Sequence, residues 1–292
     1  MTVGDPGEET ALGPGPLRAR LRASRLYVVT DDLTPLEKVP ELVREAVAGG
    51  ADLVQLRRKR EPWAELVELA RSLQECCRRG GAIFLVNDHV DLALAAQADG
   101  VHLGQGDATV QEARERLGER PLIGLSTHTP EQALKAQLLP LDYIAAGPVR
   151  ATPTKPDSVE VGFQQVTAAA LVSRVPVVAI GGLDEGASAI EAGADMVAVV
   201  RAVCAAPAPR LAASRLRQEA AGATSWRWIQ LNGEPRKSPP GETVRQLLAR
   251  LGVEPPGVAV EVDGRIVPQE RLANEPVAEG AVVEVVHFVG GG

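Results

Sequence analysis

The sequence predicts an α/β chain in which a (β/α)8 TIM barrel is followed by a small β-grasp domain. Three observations carry this. Eight short apolar runs alternate with amphipathic helical stretches over about 200 residues, as expected of parallel strands joined by crossover helices. A small-residue motif recurs where helices give way to strands: Ala48-Gly49-Gly50-Ala51-Asp52, Ala96-Gln97-Ala98-Asp99-Gly100 and Ala192-Gly193-Ala194-Asp195. Glycine there supplies a left-handed helix end, and small side chains let the helix lie close to the barrel. Beyond residue 222 the alternation stops, and a hairpin, one helix and further strands follow. An open doubly wound sheet is the competing fold, but the even repeat and the lack of a GxGxxG after the first strand favour closure.

Residues 1–24 read as a flexible leader and 25–220 as the barrel. Its strands end near Thr30, Arg57, Asn87, Leu103, Ser126, Gly147, Gly181 and Val200. Helices are predicted over Leu36–Ala48, Trp63–Arg79, Glu131–Leu138 and Glu185–Glu191, where apolar positions recur every three or four residues. A last helix, about Pro209–Ala220, leads through a linker at 221–225 to the second domain, 226–292. There Trp228–Gly233 is a strand entering a turn, and Thr243–Leu251 is a helix capped by Thr243 and ended by Gly252. Val258–Val262 is a strand, Asp263-Gly264 a tight hairpin into Arg265-Ile266-Val267, and Ala281–Val289 the final strand. A domain of this size buries only a modest core, which suits carrying or docking better than enclosing a substrate.

Composition narrows the function. The 292 residues are 45% hydrophobic and 24% charged, ordinary for a globular protein, and only 3% aromatic, so the core must be Ala, Val, Leu and Ile, as in a parallel sheet covered on both faces. The net charge is -7 with no concentrated basic patch, which argues against a grip on nucleic acid or on an anionic membrane. No apolar run approaches a bilayer span and the first residues lack the order of an export signal, so a cytoplasmic protein is expected. Cys76, Cys77 and Cys204 fit neither a disulfide framework nor a familiar zinc spacing. Oligomeric state stays open, a homo-oligomer included.

Barrel active sites lie at the C-terminal ends of the strands, and those ends carry polar residues here. Gln55, Arg57 and Lys59 alternate, so all three can face one mouth and hold an anion; a solvated basic rim is the plainer reading. Asp88 and Asp107 lie on adjacent loops opposite these cations, an arrangement suited to magnesium bridging to phosphates, although each also precedes a helix it could cap. The loop Gly147–Lys155 combines tight backbone, hydroxyls and a cation. Gly181-Gly182 and Val200-Arg201 occupy the place where barrels commonly bind phosphate on bare backbone N–H groups. Two anion sites on one mouth, one with metal, suggest joining a diphosphate to a monophosphate.

Six ordered segments then carry a resemblance: Gln55-Leu56-Arg57-Arg58-Lys59, Val86-Asn87-Asp88, Gly100-Val101-His102-Leu103-Gly104-Gln105-Gly106-Asp107, Gly124–His128, Thr152-Pro153-Thr154-Lys155 and Ala179–Gly182. Over about residues 25–205 the chain resembles thiamine phosphate synthase. The resemblance implies that hydroxymethylpyrimidine diphosphate and a thiazole phosphate are joined to thiamine phosphate with release of pyrophosphate. It implies that Gln55, Leu56, Arg57, Arg58, Lys59 and Asn87 hold the pyrimidine and its diphosphate, that Asp88 and Asp107 bind Mg2+, and that Ser126 contacts the pyrimidine. Thr152, Pro153 and Thr154 would meet the thiazole, Lys155 the diphosphate, and Gly182, Val200 and Arg201 the thiazole phosphate. Arg57, Lys59 and Lys155 are the expected catalytic cations. Arg201 departs from the family's usual serine. His102, inside a strand, reads as core, and neither it nor His128 is assigned a proton transfer.

From about Trp228 onward the chain resembles the ubiquitin-like sulfur carrier of thiazole biosynthesis. The carrying feature is the ending, Val286-His287-Phe288-Val289-Gly290-Gly291-Gly292, whose glycines can thread into a partner's active site where a Cβ would obstruct. The resemblance implies a thiocarboxylate on Gly292, with an adenylating enzyme and thiazole synthase as partners. The alternative is a thiazole tautomerase-like barrel with a C-terminal interaction or conjugation module.

Overall fold

The protein is described by a computed structural model covering residues 15–151 and 160–287. Helix α1, Pro16–Ala23, comes first. The barrel strands are β1 Leu26–Val29, β2 Leu53–Leu56, β3 Ile83–Asn87, β4 Gly100–Leu103, β5 Leu122–Thr127, β6 Tyr143–Ala146, β7 Val177–Ile180 and β8 Met196–Val199. Between them run α2 Val39–Ala48, α3 Trp63–Gly80, α4 Val90–Ala96, α5 Val110–Leu117, α6 Pro130–Ala136, α7 Gly162–Val172 and α8 Ala187–Glu191, and after β8 come α9 Arg201–Cys204 and α10 Pro209–Gly222. All eight strands pair in parallel, each with its sequence neighbours, and β1 closes on β8. The predicted closed barrel is what the chain forms.

Strand alternation sorts the core into two clusters. Tyr27, Val29, Leu53, Ile83, Leu85, Tyr143, Val178 and Met196 point inward, while Leu26, Val28, Val54, Phe84, Val86 and Val177 pack against the helices. The leader expected over 1–24 is helical from Pro16 to Ala23: Leu17 and Leu21, one turn apart, join the inward cluster, and Leu21 is fully buried. Residues 1–14 lie outside the described residues.

The recurring aspartates have a structural job that their spacing alone did not reveal. Asp52 Oδ2 accepts from the Arg25 and Leu26 backbone N–H groups at 2.8 and 3.0 Å, Asp99 from Phe84 at 2.9 Å, Asp142 from Ile123 at 2.7 Å and Asp195 from Val177 at 2.7 Å. Each sits just before an even-numbered strand and ties down the strand before it. The closed end of the barrel is therefore laced by carboxylates that satisfy backbone donors at strand starts.

The second domain contains β9 Arg227–Leu231, β10 Glu234–Ser238, α11 Val244–Arg250, β11 Val258–Val262, β12 Arg265–Ile266 and β13 Val282–His287. Its sheet order is β10-β9-β13-β11-β12, with β13 parallel to β9. Ile229, Leu231, Val260, Val262, Val283 and Val285 pack against Val244, Leu247 and Leu248 of α11. Thr243 and Gln246 form a reciprocal cap at the helix start, as Thr243 predicted. β9 and β10 pair antiparallel and form the expected opening hairpin.

Candidate active site

The strand ends converge on a cavity of about 450 Å³ lined by Gln55, Arg57, Lys59, Asn87, Asp88, Asp107, Ser126, Gly182, Val200 and Arg201, together with Tyr27, His102 and His128. Loops after β2, β3 and β4 form one side, and loops after β7 and β8 the other. Alternation places Gln55, Arg57 and Lys59 on this mouth. Arg57 is held by Asp32, with Nη1 at 3.3 Å from Oδ2, while the Lys59 backbone N–H donates to Asp32 Oδ1 at 2.9 Å.

Across from Arg57 and Lys59 is Asp88, whose Oδ2 lies 3.6 Å from Lys59 Nζ. Asp88 adopts a left-handed backbone with φ 63°, which aspartate tolerates better than most residues, and its N–H donates to His102 O at 2.8 Å. Burial, then a hydrogen bond and repulsion from Asp107, push the Asp88 carboxyl above the usual carboxylate range. Burial acts in the same direction on Asp107, but the hydrogen bond with Asp88 and the Gly104 N–H at 2.7 Å outweigh it and hold Asp107 low. The two carboxylates are thus driven apart, Asp88 upward and Asp107 downward, a response to like charges in one site.

The cavity floor is a polar chain running through the apolar barrel. Gln55 Nε2 donates to Tyr27 Oη at 2.6 Å, the Tyr27 and Tyr143 hydroxyls are 3.0 Å apart, and His102 spans Tyr143 Oη at 2.9 Å and Ser126 Oγ at 3.0 Å. Gly124 makes room for it: a Cβ there would stand 2.0 Å from Cζ of Tyr143. Burial pushes both tyrosine hydroxyls up, so they remain neutral donors. On the opposite wall Gly182 has φ 64°, and a Cβ would meet Arg150 Cβ at 2.7 Å, so only glycine fits this exposed backbone.

A family model described as thiamine monophosphate synthase matches residues 26–203, and one described as the ThiS family matches 229–292. The chain belongs to the thiamine monophosphate synthase family. A thiamine-phosphate synthase of Moorella thermoacetica is 43% identical over 66% of this chain and 94% of its own length. One of Gloeobacter violaceus is 47% identical over 69% of this chain but 59% of its own length, so the chain spans about six-tenths of that relative. The solved thiamine phosphate pyrophosphorylase of Pyrococcus furiosus superposes with a TM-score of 0.63 at 37% identity, covering 70% of this chain and 98% of that one.

Within this family frame, two residues from the matched segments face away from the cavity. Leu56 is packed in the outer core, 2% exposed. Arg58, adjacent to two residues that face the mouth, must point the other way; its guanidinium donates to Asp31 O at 2.6 Å and Thr34 O at 2.7 Å and pairs with Glu61. Neither side chain lines the cavity, whereas the sequence placed both among the substrate-binding residues. Thr152, Pro153, Thr154, Lys155, Gly291 and Gly292 lie outside the described residues. Arg201, at the first position of α9, lines the cavity with its side chain exposed. His102 is buried, as expected, yet it also faces the cavity. Tyr27, Tyr143 and Asp32 escaped the sequence reading: aromatic residues within apolar strands resemble core, and Asp32 follows its strand without a motif. Among the described residues no helix is long and apolar enough to cross a membrane.

Proposed function

We propose that the barrel is a thiamine phosphate synthase and that the C-terminal domain carries sulfur as a Gly292 thiocarboxylate. The observation that carries the synthase reading is the single cavity holding Arg57, Lys59, Asp88 and Asp107 on one side and Gly182, Val200 and Arg201 on the other. A diphosphate on the first set and a thiazole phosphate on the second would bring the pyrimidine methylene and the thiazole nitrogen together over the floor formed by Gln55 and Ser126.

In this reading the methylene C–O bond breaks and its electron pair leaves with pyrophosphate. The thiazole nitrogen lone pair then forms the new C–N bond. No side-chain nucleophile is needed. The described cysteines are unsuited to that role, since burial pushes Cys204 up to about 12 and raises Cys76 and Cys77. Arg57 and Lys59 neutralise charge as it builds on the leaving group, and Lys155, outside the described residues, is the third cation of this reading. The floor chain orients Gln55 and Ser126 toward the pyrimidine.

The donor set also fits Mg2+. Asp88 and Asp107 are paired carboxylates, and among the described residues no group of three or more His, Cys, Asp or Glu assembles a complete metal cage. Magnesium takes one or two carboxylates and completes its shell with phosphate oxygens and water. Bound there, it would supply charge stabilisation to the leaving diphosphate. Purified chain, both substrates and Mg2+ should release thiamine phosphate and pyrophosphate together; folded protein that forms neither would overturn the synthase reading.

For the carrier, a partner adenylates the Gly292 carboxylate with ATP, releasing pyrophosphate, and a sulfur donor then displaces AMP to leave the thiocarboxylate for thiazole synthase. Intact mass after incubation with an adenylating enzyme, ATP and a sulfur donor should show one oxygen replaced by sulfur. Deletion of Gly291 and Gly292 should abolish that change while thiamine phosphate formation continues. Loss of both activities would contradict two independent sites.

A further inference from the structure

The small domain does not hang from its linker. Trp226 donates its indole N–H to Glu191 O at 3.1 Å, and its ring fills the space that a Cβ on Gly193 would need. On β9, Trp228 donates to Asp195 Oδ1 at 3.1 Å. From β10, Lys237 reaches Asp195 Oδ2 at 2.8 Å and the Gly193 carbonyl, and its ammonium lies 5.3 Å from the centre of the Trp228 ring. Lys237 is 1% exposed. At the other end of β10, Glu234 pairs with Arg174 at 3.0 Å, just beyond α7. Every barrel partner in these contacts precedes a strand, so the small domain sits on the closed end, opposite the cavity.

A buried ammonium has no water to replace its partners. Lifting the domain would separate Lys237 from Asp195 and expose two tryptophans, so this is a built seat and not a passing contact. We propose that the carrier domain is a fixed fitting on the closed end of the barrel, which offers Gly292 to active sites on other protein molecules and keeps it out of the cavity of its own barrel.

This inference rests on the sulfur-carrier reading of Gly292; the seat itself does not. Gly292 is five residues past His287 and therefore within roughly 18 Å of it. From the closed end, where the domain is seated, the path to the mouth must climb the length of β8, roughly 16 Å from Asp195 to Val200. It must then cross a helix layer about 10 Å thick before turning inward. That path exceeds the reach of the segment. Sulfur loading and thiamine phosphate synthesis can then proceed at once on one chain, and a partner engaged with the terminus leaves the mouth open.

The test uses the full chain. Small-angle scattering should fit one compact particle with the docked arrangement, and streptavidin held on a biotin ligated beyond Gly292 should leave kcat and KM for thiamine phosphate formation within about twofold. Scattering that requires detached domains, or a cap that slows the synthase fivefold or more, would overturn the proposal. Lys237→Met, outside the cavity, should enlarge the particle and expose residues 221–225 to protease without altering synthase kinetics; an unchanged particle and cleavage pattern would count against the seat. If that variant does not fold, Arg174→Glu and Glu234→Arg should each increase cleavage and the pair together restore protection, whereas unchanged cleavage in the single variants would overturn the seat. Sulfur loading on the same chain keeps the two readings apart. A chain that stays compact but never gains sulfur refutes the carrier, and one that gains sulfur while its domains separate refutes only the fixed seat.

Discussion

At the closed end of the barrel, Asp142 accepts from Arg18 Nε at 2.6 Å, Arg114 Nη2 at 2.8 Å and the Ile123 N–H at 2.7 Å, with its side chain 5% exposed. At the open end, Asp88 and Asp107 face one another, with the Lys59 ammonium 3.6 Å from Asp88. Both ends use aspartates beside barrel strands, yet one end surrounds the charge with donors and the other crowds two charges together. The difference teaches that donor supply, not residue type, separates scaffold from site. A carboxylate surrounded by donors is already where it is most stable, whereas two carboxylates facing one another are stabilised by a cation placed between them.

Breaking the closed end should have the largest effect on folding. Asp142→Ala leaves the Arg114 guanidinium buried without its charge partner and the Ile123 N–H without its acceptor, at a cost of about 3–5 kcal/mol in denaturant unfolding. A loss under about 1 kcal/mol would remove the distinction between the two ends. The open end should respond the other way round: Asp107→Ala is expected to lower Mg-dependent turnover roughly 100-fold while changing stability by less than about 1 kcal/mol. A variant that instead unfolds would make Asp107 a structural residue.

The same contrast explains what could be read from the sequence. The barrel was legible because apolar runs recur at every unit and small-residue junctions ending in aspartate recur before β2, β4 and β8, so local signals reinforce one another. Gln55, Arg57 and Lys59 were legible because a period of two decides which side chains share a face, and the same rule turns Arg58 away. The floor chain was not, since Tyr27, His102 and Tyr143 sit in strands whose neighbours are apolar, and only the barrel's curvature joins their polar ends. Helix α1 was missed because Arg18, Arg20 and Arg22 surround Leu17 and Leu21, and its apolar stripe is only two residues wide. Lys237, in the charged run Glu234-Pro235-Arg236-Lys237, reads as solvated until the barrel's Asp195 lies beneath it.

The smallest effect sharpens the comparison most, because it titrates the open end without mutation. Asp88 is raised, so the folded protein holds its proton to higher pH than the unfolded chain does. Its contribution to stability is therefore complete below the unfolded aspartate range and is lost as pH rises through the raised value. Cation binding has the opposite slope, because a proton on Asp88 must leave before the carboxylate can bind a cation: affinity is fully developed above the raised Asp88 range and falls about tenfold per pH unit below it. Titrating Mg2+ against the chain between roughly pH 4 and 8, with unfolding followed in parallel, should show the metal restoring at high pH the stability that Asp88 ionisation removes. Asp88→Asn should flatten both profiles. Equal Mg2+ affinity across that range in the parent chain would mean that no proton is displaced, and the pair would then belong with the saturated carboxylates of the closed end.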